Sequence, residues 1–176
     1  MPARRCLETF ISPPVLCGRE KRKMTVKHIV SGGQTGVDRA ALDVALRLGI
    51  GCGGWCPKGR FAEDGTLSSS YPLKETPTPA YAERTEWNVR DSDGTLVLTW
   101  GPPADGTAFT VDMTRKHGKP VLVIDLESKE SGPRQVETWL MENGIRTLNV
   151  AGPRESKCPG IYQDASAFLE ALLSPV

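Results

Sequence analysis

The residues best suited to chemistry lie in three glycine-containing segments. These are Ser31-Gly32-Gly33-Gln34-Thr35-Gly36, Ala104-Asp105-Gly106-Thr107 and Ala151-Gly152-Pro153-Arg154-Glu155-Ser156-Lys157. In the first, adjacent glycines allow close approach to the main chain. The helix expected after them offers free N–H groups and the positive end of its dipole. Gln34 and Thr35 add side-chain donors that a tight turn does not require. This is chemistry for holding phosphate or another oxyanion. The segment is not a Walker A loop, since no Gly-Lys-Ser/Thr follows, and adjacent glycines depart from G-x-G-x-x-G. In the second segment, Gly106 and Thr107 could face another oxyanion, or Asp105 or Thr107 could simply cap a helix. In the third, Arg154 and Lys157 could bind an anion with Glu155 orienting Arg154, or form a solvated charged turn.

Further groups could complete such a site. Trp55-Cys56-Pro57-Lys58-Gly59-Arg60 offers a stacking surface beside two cations, suited to a flat heterocycle carrying phosphate, with core packing as the alternative role for Trp55. Helical spacing puts Arg84, Asn88 and Asp91 near one face, where Arg84 could hold an anion and Asn88 a heterocycle edge or a ribose. A surface ion-pair face is the alternative. No nucleophile–base pair stands out, because His28 lies in a strand, His117 at a helix end, and Cys56 has no base nearby. Asp38 and Glu155 are the carboxylates with the best claim as general base, although Asp38 could serve the helix dipole alone. The five cysteines include no Cys-x-x-Cys pair and there are only two histidines. Free thiols in a reducing, cytoplasmic setting and no protein-ligated metal are therefore expected.

The elements that must carry these groups alternate along the chain. Lys27–Ser31 reads as a strand ended by Gly32-Gly33. Val37, Ala40, Ala41, Val44, Ala45 and Leu48 then mark one helical face, stopped at Gly49. Residues 51–80, rich in Gly, Pro and Ser, read as a long irregular stretch of the kind that forms a functional loop or lid. A short helix over Tyr81–Val89, a strand over Thr95–Thr99, a helix ending near His117-Gly118 and a strand over Val121–Asp125 follow. Val136, Trp139 and Leu140 mark a helix, Arg146–Val150 a strand, and Tyr162, Ala165, Leu169, Leu172 and Leu173 a closing helix. This alternation predicts an α/β domain with a mainly parallel sheet, in which ligands bind beyond the carboxyl ends of the strands.

The chain has 176 residues, a net charge of +1 and a mean hydropathy of -0.30. No apolar window is long enough to span a membrane. The charge is uneven: residues 1–24 carry six basic and two acidic side chains, leaving 16 basic and 19 acidic ones beyond. A strand begins immediately after Met24, so residues 1–24 are expected to be a basic, disordered leader and residues 25–176 a single domain. The near-neutral sum argues against binding a nucleic-acid polymer, not against a small anionic ligand.

Taken together, Ser31-Gly-Gly-Gln-Thr-Gly-Val-Asp-Arg-Ala-Ala-Leu42, Gly54-Trp-Cys-Pro-Lys-Gly-Arg60, Arg84-Thr-Glu-Trp-Asn-Val89, Asp105-Gly-Thr107 and Asn149-Val-Ala-Gly-Pro-Arg-Glu-Ser156 resemble the molybdenum carrier proteins. Those are grouped with circularly permuted YpsA-like members of the SLOG superfamily. The resemblance covers about residues 25–173. It implies a Rossmann-like three-layer sandwich, a ligand cleft at the glycine-rich loops and binding of the molybdenum cofactor, a pterin bearing phosphate. It also implies self-association into a homo-oligomer. The implied ligand shell comprises Ser31, Gly32, Gly33, Gln34, Thr35, Gly36, Asp38, Arg39, Trp55, Lys58, Arg60, Arg84, Asn88, Gly106, Thr107, Gly152, Arg154, Glu155 and Ser156. Related LOG-type enzymes cleave ribose phosphate from a base, which makes a nucleotide hydrolase the second expectation. Their Pro-Gly-Gly-x-Gly-Thr motif is absent here. A nucleotide-sensing SLOG module is the third, although such modules are usually fused to effector domains and none is seen here.

Overall fold

The computed structural model describes residues 26–128 and 132–174, so the leader lies outside the described residues. The chain runs β1 (His28–Val30), α1 (Val37–Arg47), β2 (Gly51–Cys56), β3 (Phe61–Ala62), β4 (Gly65–Thr66) and β5 (Leu73–Glu75). It continues through α2 (Tyr81–Arg90), β6 (Gly94–Thr99), α3 (Asp105–Lys116), β7 (Val121–Asp125), α4 (Pro133–Glu142), β8 (Thr147–Ala151) and α5 (Ile161–Leu173). Six strands form one parallel sheet in the order β5-β2-β1-β8-β6-β7, and β3 and β4 make a separate antiparallel hairpin. This is the mainly parallel α/β sheet expected from the alternation, in the Rossmann-like sandwich that the resemblance implied. The chain first builds outward from β1 to β2, then crosses over to β6 and β7 and returns through β8. The order therefore reverses beside β1, where open α/β sheets place ligands.

The two faces of the sheet differ chemically. Leu148 and Val150 of β8 and Leu96 and Leu98 of β6 point into the core shared with α1, α4 and α5, where Val37, Val44, Val136, Leu140, Ile161 and Leu169 are buried. Each fully buried side chain of this size contributes about 1.5–3 kcal/mol. Because side chains alternate along a strand, Asn149 and Thr95 point the other way, and the Asn149 amide donates to Thr95 Oγ1 at 3.1 Å. On that face α2 packs against α3 and buries Asn88, Thr107, Thr110 and Thr114.

Residues 51–80 depart from the irregular stretch expected. Gly51-Cys-Gly-Gly-Trp-Cys56 has weak strand propensity, yet it pairs with β1 on one side and β5 on the other. A Cβ at Gly54 would lie 2.3 Å from the Ser31 carbonyl, so glycine is what permits this packing. Among the described residues no helix is long and apolar enough to cross a membrane, and no cluster of His, Cys, Asp or Glu could hold a metal ion. Cys52, Cys56 and Cys158 are free thiols.

Candidate functional site

The loop Ser31–Gly36 leaves the carboxyl end of β1 and separates two recesses. Ser31 Oγ donates to the Val150 carbonyl at 2.9 Å, tying the loop to β8. Asp38, in the first turn of α1, is buried beneath the loop, and Arg84 Nη1 of α2 donates to its Oδ2 at 2.8 Å. Burial pushes the Asp38 carboxyl above its ordinary range; Arg84 and the Gln34 and Gly32 amides oppose this without cancelling it. The Arg84 guanidinium lies directly on Gly32, where a Cβ would sit 1.6 Å from Nη1. Its Nε is buried without a partner. Around it Gly32, Thr85, Thr110 and Asn149 help line a cavity of about 10 Å³, no larger than a single water needs, roughly 10–15 Å³.

The second recess lies on the other side of the loop. It is a groove of about 770 Å³ whose walls include Thr35, Arg39, Asp43, Tyr71, Ser156 and Tyr162, within the ~300–1,000 Å³ of small-molecule sites. The β3–β4 hairpin covers one side. Its Glu63 carboxylate accepts hydrogen bonds from the Thr35 hydroxyl, from the Ser156 N–H at 3.1 Å and from the Ser156 hydroxyl. Arg154 Nη1 lies 3.8 Å from it. Burial alone raises the Glu63 pKa, but these hydrogen bonds and Arg154 outweigh it and hold the group below its ordinary value. Gln34 Oε1 accepts the N–H groups of Thr35 and Glu63 at 3.0 and 2.9 Å, while its Nε2 is buried without a partner. Arg39 grips Asp64 through both terminal nitrogens at 3.1 Å and donates Nε to the Gly33 carbonyl at 3.2 Å. That pairing lowers the Asp64 pKa. Asp43 accepts the hydroxyls of Tyr71 and Tyr162 at 2.7 and 2.8 Å, and burial together with this bond pushes the Tyr71 phenol up to about 12.

Several residues expected at a ligand have partners of their own. Trp55 packs edge-on against Trp87, with ring centroids 4.6 Å apart, and its Nε1 donates to Asp91 at 2.8 Å. Asn88 is spent on the Trp55 main chain: Oδ1 accepts its N–H at 2.7 Å and Nδ2 donates to its carbonyl at 3.0 Å. Arg60 donates to the carbonyls of Leu67, Ser68, Tyr71 and Leu73, holding the loop before β5. Glu155 does not orient Arg154; it accepts the N–H groups of Gly160 and Tyr162 and so caps α5. Lys58 is exposed, and Gly152 is a packing position where a Cβ would lie 2.3 Å from the Leu98 carbonyl. At the start of α3, Gly106 faces open space, Thr107 is buried, and Lys157 reaches Asp105 at 3.5 Å. Glu63, Asp64, Tyr71, Thr110 and Asn149 stand in or against the recesses without having been singled out. The adjacent Asp64-Gly65 is a turn signal that marks the hairpin within the irregular stretch.

The chain matches the model of the circularly permutated YpsA SLOG family over residues 29–173. It is 46% identical to a candidate molybdenum carrier protein from Syntrophus aciditrophicus SB with a solved crystal structure, at a TM-score of 0.83 over 85% of this chain and 96% of that one. It matches none of the curated proteins. The glycine loop, Arg84 and the loop after β8 all fall within the matched residues, and the chain belongs to the circularly permutated YpsA SLOG family.

Proposed function

We propose that this protein binds a small anionic, phosphate-bearing heterocycle at the carboxyl edge of the sheet, with the molybdenum cofactor as cargo. One observation carries the reading: Arg84 lies on Gly32 at the point where strand order reverses, and its buried Nε has no acceptor among the described residues. A buried N–H donor without an acceptor is costly, and an oxyanion would satisfy it. The cavity beside Arg84 is too small for a pterin, but the adjoining groove has the volume for one. Its walls include Tyr71 and Tyr162, whose rings offer aromatic surface to a flat heterocycle. The name of the Syntrophus aciditrophicus protein supports a molybdenum-related cargo.

Calorimetric titration with the molybdenum cofactor and with nucleoside monophosphates tests this reading. The expected result is cofactor binding that Arg84→Ala weakens at least tenfold, the loss of a single charge-assisted hydrogen bond being worth about that factor, with no free base released from any nucleotide. Release of base would replace the carrier reading with the hydrolase, with Asp38 as the buried carboxylate nearest the loop.

A further inference from the structure

The surroundings of Glu63 are built for an oxyanion. Two hydroxyls (Thr35 and Ser156), one backbone N–H (Ser156) and one guanidinium (Arg154) converge on its carboxylate. These donors come from the loops after β1 and β8, neighbouring strands at the centre of the sheet. A carboxylate leaves them incompletely used. At 3.8 Å, Arg154 stands beyond direct hydrogen-bond range, which ends near 3.2 Å for N–H···O. A phosphate monoester presents three terminal oxygens where a carboxylate presents two, and the third would reach Arg154. We propose that Thr35, Ser156 and Arg154 form the receptor for the ligand's phosphate, and that Glu63 is an intramolecular stand-in which the phosphate displaces. This rests on the reading that an anionic ligand binds at this edge of the sheet.

Two features make the exchange feasible. The hairpin does not depend on the Glu63 side chain, because Asp64 is gripped by Arg39, the Glu63 N–H is held by Gln34, and Ala62 and Leu67 are buried in a small apolar cluster. The Glu63 carboxylate can therefore swing out while the hairpin stays in place. The other carboxylates of the groove are already engaged: Asp43 by two phenols, Asp64 by Arg39 and Glu155 by the amides of α5. Glu63 alone among these four is held by groups from both central loops. Once a phosphate arrives, charge repulsion favours its departure.

The test is calorimetric titration of wild type, Glu63→Gln, and Glu63→Gln combined with Ser156→Ala, using inorganic phosphate as the probe. Removing the competing charge is expected to tighten phosphate binding about tenfold or more, and the added Ser156→Ala to reverse that gain. Unchanged or weaker phosphate binding by Glu63→Gln overturns the proposal. If that variant does not fold, NMR titration of the Glu63 carboxyl carbon in the wild type decides instead. Its midpoint is expected to climb toward the ordinary glutamate value when phosphate saturates the protein, and a midpoint that stays put overturns the idea. The two readings fail separately. Arg84-dependent cofactor binding that ignores Glu63→Gln sinks only the stand-in, whereas phosphate binding tightened by Glu63→Gln without any cofactor binding sinks only the cargo.

Discussion

Asp38 and Arg84 stand 46 residues apart in the chain and form a buried ion pair, with side-chain exposures of 5% and 15%. Removing one member leaves an uncompensated buried charge, so Arg84→Met is expected to cost about 3 kcal/mol in urea unfolding. Adding Asp38→Asn should recover most of that loss, because neither charge then remains. The two glycines beneath them respond differently to a methyl group. Gly33 has φ 75° and a Cβ there would lie 2.7 Å from Leu73 Cδ1, so Gly33→Ala strains the backbone and the small apolar cluster together. A Cβ at Gly32 meets chiefly the end of the Arg84 side chain. Gly33→Ala should therefore lower the thermal midpoint more than Gly32→Ala, while Gly32→Ala abolishes Arg84-dependent binding. Residue types at these positions read as candidate ligand-binding groups. Their partners were not legible, since hydrogen bonding by Asn88, Arg60 and Glu155 is settled by main-chain atoms that spacing does not reveal.

Among the elements, the hairpin and the loop behind it are held by side chains rather than by their own short ladders. Arg60 spans four carbonyls of residues 67–73 with a planar fork, a geometry that an ammonium cannot copy. Arg60→Lys should open this loop, seen as new protease cleavage near Ser68–Tyr71. The hairpin should also loosen in acid. Asp64, gripped by Arg39, has a folded-state pKa below its ordinary 3.8. Its anchoring is thus complete above about pH 5 and is lost as pH falls through the lower, folded value. Hydrogen-exchange protection of residues 61–66, relative to the intrinsic rate at each pH, should fall over that acid range and remain flat from pH 5 to 7. Strand and helix periodicity located α1, β6, β7 and α5 within a residue or two. It missed β2, because three glycines mask a strand whose place is secured by β1 and β5 on its flanks.

For the molecule as a whole, a ligand that binds only the folded state raises stability by mass action. At a hundredfold excess over its Kd, the cofactor should add about 2.7 kcal/mol and lift the thermal midpoint by several degrees. A midpoint that stays put under saturating cofactor would count against binding. The α/β class and the position of the glycine loop after the first strand were readable from residue order, because hydrophobic period and helix punctuation act over a few residues. The strand order β5-β2-β1-β8-β6-β7 is a long-range choice, and it alone brings residues 31–36, Arg84 and 151–156 to one edge. It also divides that edge into a closed cavity behind Arg84 and an open groove beneath the hairpin. Which donors remain free for a ligand therefore depends on contacts made across the fold, where a partner such as Glu63 arrives from 28 residues away on Thr35 and 93 on Ser156.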